Sequence, residues 1–158
     1  MHPFGGDGPL VLGGVELQGQ GLRGHSDADV VAHAIADALL GAAGMDDLGT
    51  LFPASDARYR GASSIGLLEE VSAMVAAAGW RIVNVDLVVA AETPVLAPHR
   101  AEMIQRLEHA LTALAPRNTT PADAGSFVSV KPKRAEGMGA IGRAEGIAAW
   151  AVALLDHG

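Results

Sequence analysis

Two carboxylates and an imidazole recur at four-residue spacing within one strongly apolar segment, residues 24–40. Asp29, His33 and Asp37 lie on one stripe of the helix that this segment predicts, because residues four apart are neighbours on a helix surface. Burying such groups is costly unless they are paired or bind something. The stripe therefore indicates either a satisfied hydrogen-bond network or a metal or phosphate site.

The residues just before this stripe favour the metal or phosphate interpretation. His25 lies outside the predicted helix and Asp27 lies within its first turn. Ser26 and Asp29 have the spacing of a capping box, which predicts that the helix begins at Ser26. Imidazole and carboxylate ligands together suit Zn²⁺ or Mn²⁺, whereas carboxylates with phosphate oxygens suit Mg²⁺.

Two loops bring further charges within reach of this helix. An acidic loop over residues 41–56 follows the helix directly, and a basic, glycine-rich loop over residues 131–143 carries Glu136. Lys133 and Arg134 in the second loop suit a phosphorylated ligand. Solvated surface loops have the same composition, so the loops alone do not separate a binding site from an ordinary surface.

The elements that must position these groups follow from hydrophobic periodicity and β-branched content. Helices are predicted over residues 26–40, 63–78 and 98–114. Strands are predicted over residues 82–91 and 127–131, and a hairpin over residues 9–12 and 15–17. Residues 117–124 read as a polar linker, and residues 145–155 as a helix or a strand. This order predicts one α/β (α+β) domain, a single-layer mixed β-sheet with helices packed on one face.

Composition limits the function classes. The 158 residues suffice for one domain with a real core, and a net charge of −7 argues against duplex DNA or an anionic membrane as partner. The absence of cysteine excludes a thiolate metal site and a cysteine nucleophile. The first residues lack the blocks of a signal peptide, and the apolar run at residues 147–155 is too short to span a bilayer. We expect a soluble cytoplasmic protein.

The segments that carry these features resemble a known enzyme family. Residues 24–56, GHSDADVVAHAIADALLGAAGMDDLGTLFPASD, are similar to the signature of 2-C-methyl-D-erythritol 2,4-cyclodiphosphate synthases. Further stretches resemble the family in the same order: HPFGGDGPLVLGGVE, GASS, NVDLVVAAETPVLAPH and the GxGxxGRxEGI frame at residues 137–147. The resemblance covers essentially the whole chain.

The resemblance implies a homotrimer with active sites between neighbouring subunits. It implies a phosphorus–oxygen lyase of the non-mevalonate isoprenoid pathway, which cyclises 4-diphosphocytidyl-2-C-methyl-D-erythritol 2-phosphate and releases CMP. The substrate's own 2-phosphate attacks its β-phosphate, so no protein nucleophile is required. The expected ligand is thus a small molecule that contains cytidine diphosphate, and neither nucleic acid nor a membrane is an expected partner.

The resemblance also implies roles for individual residues. His2 and His33 match ligands of a divalent metal, Zn²⁺ or Mn²⁺, and Glu136 matches a catalytic residue that holds Mg²⁺ between substrate phosphates. His25 matches a second catalytic position, beside those phosphates. Further positions implied to contact substrate are Ser26, Ser64, Lys133 and Arg134, with Asp47, Gly49 and Asp56 around the methylerythritol unit, Pro94 and Leu96 in the cytidine pocket, and Arg143 near the trimer axis.

Two departures from the family pattern keep alternatives open. The family has an Asp two residues before the position of His2, so we expect a start upstream of Met1, which stands where Val is common. Lys133, Arg134 and Ala135 replace a Thr-rich run. These departures favour a non-catalytic trimer that binds a metal or a phosphorylated ligand, whereas the intact segment over residues 25–33 favours the enzyme. A metal-dependent phosphohydrolase has less support.

Overall fold

Seven strands and five helices make up the regular structure in residues 1–116 and 125–157, which this computed structural model describes. The strands are β1 (His2–Gly6), β2 (Leu10–Leu12), β3 (Val15–Leu17), β4 (Gly21–Leu22), β5 (Trp80–Ala90), β6 (Val128–Lys133) and β7 (Gly146–His157). The helices are α1 (Val30–Ala42), α2 (Leu48–Leu51), α3 (Ser64–Ala77), α4 (Arg100–Ala110) and α5 (Gly139–Gly142). The predicted linker over residues 117–124 lies outside the described residues.

One five-stranded sheet forms the centre of the fold, in the order β4-β1-β7-β5-β6. β5 and β6 run parallel, with Val85 opposite Val128, and the other neighbouring strands are antiparallel. β2 and β3 form the separate hairpin that the sequence predicts. The mixed sheet is confirmed, and the segment over residues 145–155, whose type the sequence left open, is a strand inside the sheet.

The helices α1, α3 and α4 pack on one face of this sheet, as predicted. On β5 the side chains of Val85, Leu87 and Val89 alternate towards that face and are fully buried. Ile35 and Leu39 of α1 are buried in the same core. Each such side chain contributes about 1.5–3 kcal/mol of transfer free energy, so the sheet–helix layer is the main source of stability.

The opposite face of the sheet carries uncovered apolar side chains. Trp150, Val152 and Leu154 alternate along β7 and are 57%, 73% and 55% exposed. β5 pairs with β7 along the strip, from Ala148 to His157, whereas β1 pairs with β7 only at Gly146 and Ile147. We call these three residues the apolar strip.

Two helix predictions differ from the structure in their bounds. The helix predicted to begin at Ser26 begins at Val30, because Ala28 adopts a φ of 59° and Asp29 provides the N-cap. The helix predicted over residues 98–114 is helical in α4 only, and short 3₁₀ turns at Ala97–His99 and Thr112–Leu114 flank it.

A glycine on β7 lets β1 join the sheet closely. Pro3 lies opposite Gly146, and a Cβ at Gly146 would be 2.4 Å from the carbonyl oxygen of His2, far closer than real atoms approach. Glycine at this position therefore allows the backbone of His2 and Pro3 to approach β7. None of the helices in the described ranges is long and apolar enough to cross a bilayer.

Candidate active site

The buried carboxylate of Asp29 anchors the start of α1. Its Oδ1 accepts hydrogen bonds from the N–H groups of Gly13 (2.9 Å), Val31 (3.0 Å) and Ala32 (3.2 Å), and its Oδ2 accepts one from Gly14 (2.7 Å). Burial raises the pKa of Asp29 to about 6, although the hydrogen bonds from Gly14, Gly13 and Ala32 lower it. At neutral pH this side chain is ionised, and both of its oxygens accept backbone hydrogen bonds.

The stripe of Asp29, His33 and Asp37 is therefore not a joint ligand set. Asp37 accepts a hydrogen bond from the N–H of Leu48 at 2.8 Å and faces solvent. Within residues 1–116 and 125–157, no three or more His, Cys, Asp or Glu side chains converge as a metal cluster. Of the three stripe residues, only His33 is directed at a second candidate ligand.

His33 of α1 meets His2 of β1 at the edge of the sheet. His2 Nε2 and His33 Nδ1 are 3.1 Å apart, and the ring centroids are 5.3 Å apart at an interplanar angle of 67°. Burial lowers the pKa of His33 to about 4, and burial together with the N-terminal charge lowers the pKa of His2 below its usual value. Both rings are therefore neutral at physiological pH, as metal ligation requires.

The separation of the facing nitrogens fits a shared divalent metal. Two nitrogens that each lie about 2.0–2.1 Å from a tetrahedral zinc are roughly 3.3 Å from one another. His2 Nδ1 lies 3.0 Å from the carbonyl oxygen of Arg23, which only accepts, so Nδ1 carries the ring hydrogen and Nε2 is bare. The donor set thus fits a metal through these two residues, and further ligands would have to join them.

The histidine pair opens into a pocket of about 300 Å³. Its walls include Asp37, Leu48 and Gly49 beside the two rings, so Gly49 shares a pocket with the histidine pair. The neighbouring Asp47 is exposed and caps α2 through the N–H of Thr50 at 2.7 Å, a hydrogen bond that lowers the pKa of Asp47. Its carboxylate thus holds the turn that carries Gly49.

His25 and Ser26 line a second pocket, of about 710 Å³, together with Arg23 and Arg60. The His25 ring donates from Nε2 to the backbone carbonyl of Asp56 at 3.2 Å. The two arginines were not predicted as site residues from the sequence, and a cation beside a suspected phosphate position is the only signal that could have indicated them.

The Asp56 carboxylate is engaged by its neighbour. It accepts from the backbone N–H of Arg58 at 3.0 Å and from the Arg58 guanidinium at 2.6 Å. These contacts lower the pKa of Asp56 and leave its side chain capping a short turn at the surface. Ser64 also differs from expectation: it is 1% exposed, and its hydroxyl contacts His33 and Asp27 instead of facing a pocket.

The remaining predicted residues lie apart from the histidine pair. Pro94 lines a separate pocket of about 190 Å³ with Phe4 and Ala144, and no described residue lines both this pocket and that of the histidines. Leu96 is buried beneath the same loop. Within one chain, the predicted cytidine positions and the predicted metal ligands do not share a cavity.

The basic loop is exposed and partly paired. Arg134 forms an ion pair with Glu92, and Arg143 lies 2.6 Å from Glu145. Lys133 ends β6, and Glu136 adopts a φ of 52° in the turn that follows. These cations and Glu136 remain accessible to a ligand from outside the chain.

Comparison with known proteins places this arrangement in a family. A model of the YgbB family matches residues 1–156. The chain belongs to the YgbB family. A bifunctional enzyme IspD/IspF from Anaeromyxobacter sp. (strain Fw109-5) is 54% identical over 98% of the chain, which spans 37% of that relative's length. The 2-C-methyl-D-erythritol 2,4-cyclodiphosphate synthase of Syntrophomonas wolfei is 48% identical over 94% of the chain and 88% of its own length.

Solved structures agree with this placement among YgbB proteins. The bifunctional IspDF from Campylobacter jejuni superposes with a TM-score of 0.87 at 35% identity, over 99% of this chain and 40% of that chain. The Plasmodium falciparum IspF CDP complex gives a TM-score of 0.78 at 30% identity, over 98% and 88% of the two chains. The resemblance to cyclodiphosphate synthases and the mixed α+β fold are thus confirmed.

Proposed function

We propose that this YgbB chain cyclises 4-diphosphocytidyl-2-C-methyl-D-erythritol 2-phosphate to 2-C-methyl-D-erythritol 2,4-cyclodiphosphate and releases CMP. The observation that carries the proposal is the neutral pair of His2 and His33, whose facing nitrogens are 3.1 Å apart. Whole-length similarity to synthases of that name, at 48% identity for the Syntrophomonas wolfei protein, supports it. Because the chain spans 37% of the Anaeromyxobacter relative's length, the proposal concerns the cyclisation alone.

The chemistry brings two anionic phosphates of one substrate together. An oxygen of the 2-phosphate bonds to the β-phosphorus, the bond from that phosphorus to the bridging oxygen of CMP breaks, and CMP leaves with the electron pair. A divalent metal bound by His2 and His33 would offset the phosphate charge and polarise a phosphate oxygen. The protein itself mainly positions the reacting groups, which is the larger part of catalysis in phosphoryl transfer.

The cationic residues of the 710 Å³ pocket suit the phosphates. His25 and Ser26 share this pocket with Arg23 and Arg60, which supply positive charge and hydrogen-bond donors. Glu136, exposed in the loop after β6, would hold Mg²⁺ between the phosphates, and Lys133 would add positive charge there. Asp47, Gly49 and Asp56 would surround the methylerythritol unit, with the Asp47 and Asp56 carboxylates acting chiefly through the turns they cap.

We propose further that the active form is a homotrimer. An uncovered apolar strip on a sheet face is a feature of interfaces, and three copies packed on Trp150, Val152 and Leu154 would bury it. Assembly would also let the Pro94 and Leu96 loop and the Arg143 loop of one chain face the histidine pair of its neighbour. The cytidine diphosphate would then bind between subunits, consistent with the CDP named for the Plasmodium falciparum structure.

A second candidate is a non-catalytic trimer that binds a metal and a phosphorylated ligand. The pairing of Arg134 with Glu92 favours it, because a cation already paired by a carboxylate is less available to phosphates. Turnover separates the two candidates. The binding-only protein would retain Zn²⁺ and cytidine diphosphate but release no CMP.

The test is CMP release with the purified protein, the family's substrate, Zn²⁺ and Mg²⁺. We expect the wild type to release CMP and His33→Ala to lose both bound zinc and roughly 100-fold or more of the rate. His109→Ala is the matched control, since His109 is an exposed histidine on α4 outside the site. Full activity of His33→Ala would contradict the proposal, and a zinc-loaded wild type without turnover would favour the second candidate.

A further inference from the structure

His33 is held from behind by a second polar layer. Its Nε2 lies 2.9 Å from the hydroxyl oxygen of Ser64, the first residue of α3. The Ser64 hydroxyl in turn contacts Oδ1 of Asp27, and the Ser64 backbone N–H donates to Oδ2 of Asp27 at 3.1 Å. A continuous chain of polar contacts thus runs from Asp27 through Ser64 to the ring of His33, on the side away from His2.

The Ser64 hydroxyl has a single hydrogen, which sets the direction of donation along these polar contacts. An ionised carboxylate only accepts, so the Ser64 hydroxyl donates to Asp27. Its oxygen then offers only lone pairs to His33, so Nε2 of His33 must carry the ring hydrogen. A neutral imidazole has one N–H, so Nδ1 is left bare and faces the bare Nε2 of His2 at 3.1 Å. Without a metal the two lone pairs repel, so the contact of Nε2 with Ser64 competes with the alternative in which Nδ1–H donates to His2.

Ser26 contacts both groups as well. Its hydroxyl oxygen is 3.1 Å from that of Ser64 and 3.2 Å from Nε2 of His33, and it accepts the N–H of Ala28 at 3.2 Å. The Ser26 hydroxyl can donate to the Ser64 oxygen or to a bare Nε2 of His33, so Ser26 is compatible with both ring tautomers. The direction of donation from Ser64 to Asp27 is therefore what selects between them.

We propose that Asp27 and Ser64 are positioning residues that hold His33 in the Nε2–H tautomer with its Nδ1 lone pair turned towards His2. The use of that lone pair by a metal rests on the proposed function, whereas the tautomer does not. Histidine ligands commonly donate their second N–H to a carboxylate, and loss of that partner typically costs about 10–100-fold in metal affinity. Here the carboxylate acts through an intervening serine.

Ser64→Ala is the cleanest perturbation. It removes the acceptor next to Nε2, and alanine is well tolerated at the first turn of a helix. Asp27 also accepts the backbone N–H of Asp29 at 3.2 Å, so its replacement would disturb the start of α1 as well. Ser72→Ala is the matched control, because Ser72 is a buried serine on the same helix whose hydroxyl has no hydrogen-bond partner among the described residues.

The first readout is the ring tautomer of His33 in the metal-free protein, from ¹⁵N chemical shifts of the imidazole nitrogens. We expect Nε2 to be protonated in the wild type and in Ser72→Ala, and the two tautomers to be mixed in Ser64→Ala. The second readout is Zn²⁺ affinity, measured by competition with a chromophoric chelator. We expect Ser64→Ala to bind about 10–100-fold more weakly, Ser64→Thr to restore binding through its hydroxyl, and Ser72→Ala to match the wild type.

Three results would overturn the positioning role. They are an Nδ1–H tautomer in the metal-free wild type, wild-type tautomer and affinity in Ser64→Ala, or a loss produced by Ser26→Ala and not by Ser64→Ala. A wild type that binds no Zn²⁺ yet shows a Ser64-dependent tautomer would support the positioning role and contradict the proposed metal centre. The two failures are thus distinguishable.

Discussion

Replacement of Asp29 by alanine tests how the site's main helix is anchored. Four backbone N–H groups converge on this one buried carboxylate, two from α1 and two from the turn between β2 and β3. Asp29→Ala removes all four acceptor contacts at once. We expect α1 to lose its cap and the hairpin turn to lose its connection to the helix.

The expected loss follows from the environment of the four donors. Loss of an N-cap side chain costs about 1 kcal/mol. The N–H groups of Gly13 and Gly14 would lose their partner, at about 1–3 kcal/mol for each buried group. Because water can reach Gly14 in part, we expect Asp29→Ala to lower the free energy of unfolding by roughly 3–5 kcal/mol, a large share of a typical total of about 5–15 kcal/mol.

Urea unfolding followed by circular dichroism measures this loss, with all variants at one protein concentration because assembly affects stability. Asp37→Ala is the control, since Asp37 lies on the same helix and accepts one exposed N–H, that of Leu48. Asp29→Asn should lower the free energy of unfolding by an intermediate amount, about 1–3 kcal/mol. Its amide oxygen can still accept, but its NH₂ group donates and would face a backbone N–H that also donates.

An Asp29→Ala loss no larger than that of Asp37→Ala would refute the reasoning. It would mean that water or other protein groups replace the four contacts in the variant. A loss of the expected size without any gain for Asp29→Asn over alanine would contradict the assigned oxygen contacts while leaving the anchor itself in place.

The remaining predictions concern acid and assembly. The pKa of His33 is lowered by burial to about 4 against 6.5 when unfolded, so the folded metal-free protein should lose up to about 3 kcal/mol of stability as pH falls from 6.5 to 4. His33→Gln should lack this part of the pH dependence in urea unfolding, and equal slopes would contradict the assignment. If the protein forms the proposed trimer, Val152→Glu should dissociate it in sedimentation experiments, whereas Met74→Glu on the helical face should not; an intact Val152→Glu trimer would contradict the proposed interface.

The start of α1 shows what local sequence patterns cannot decide. Ser26 and Asp29 are both good N-cap residues, and their spacing alone predicted a start at Ser26. The helix begins after Asp29 because its carboxylate also accepts the N–H groups of Gly13 and Gly14, 16 and 15 residues earlier in the chain. Such long-range contacts leave no local pattern.

The long strands and the sheet–helix layering were predictable, whereas β1 was not. No element was predicted over residues 2–6, yet this segment becomes a strand because Gly146 of β7 lets it approach. Only the family resemblance indicated His2 as a ligand. Its proximity to His33 depends on pairing between opposite ends of the sequence, which hydrophobic periodicity cannot indicate.

Ser64 illustrates a limit of position-by-position transfer from a family. The resemblance indicated that Ser64 belongs to the site, and the structure places it at the site but behind His33, away from any pocket. A motif records that a residue type is needed near the chemistry. It does not record whether the side chain meets the substrate or supports a neighbour that does.

The place of β7 in the sheet has a consequence for biosynthesis. This strand is translated after the other six described strands, yet it lies between β1 and β5. While residues 146–157 are still inside the ribosome, the nascent chain therefore exposes unpaired edges on β1 and β5. Such edges promote aggregation, so we expect emerging chains to depend on chaperones until synthesis passes this strand.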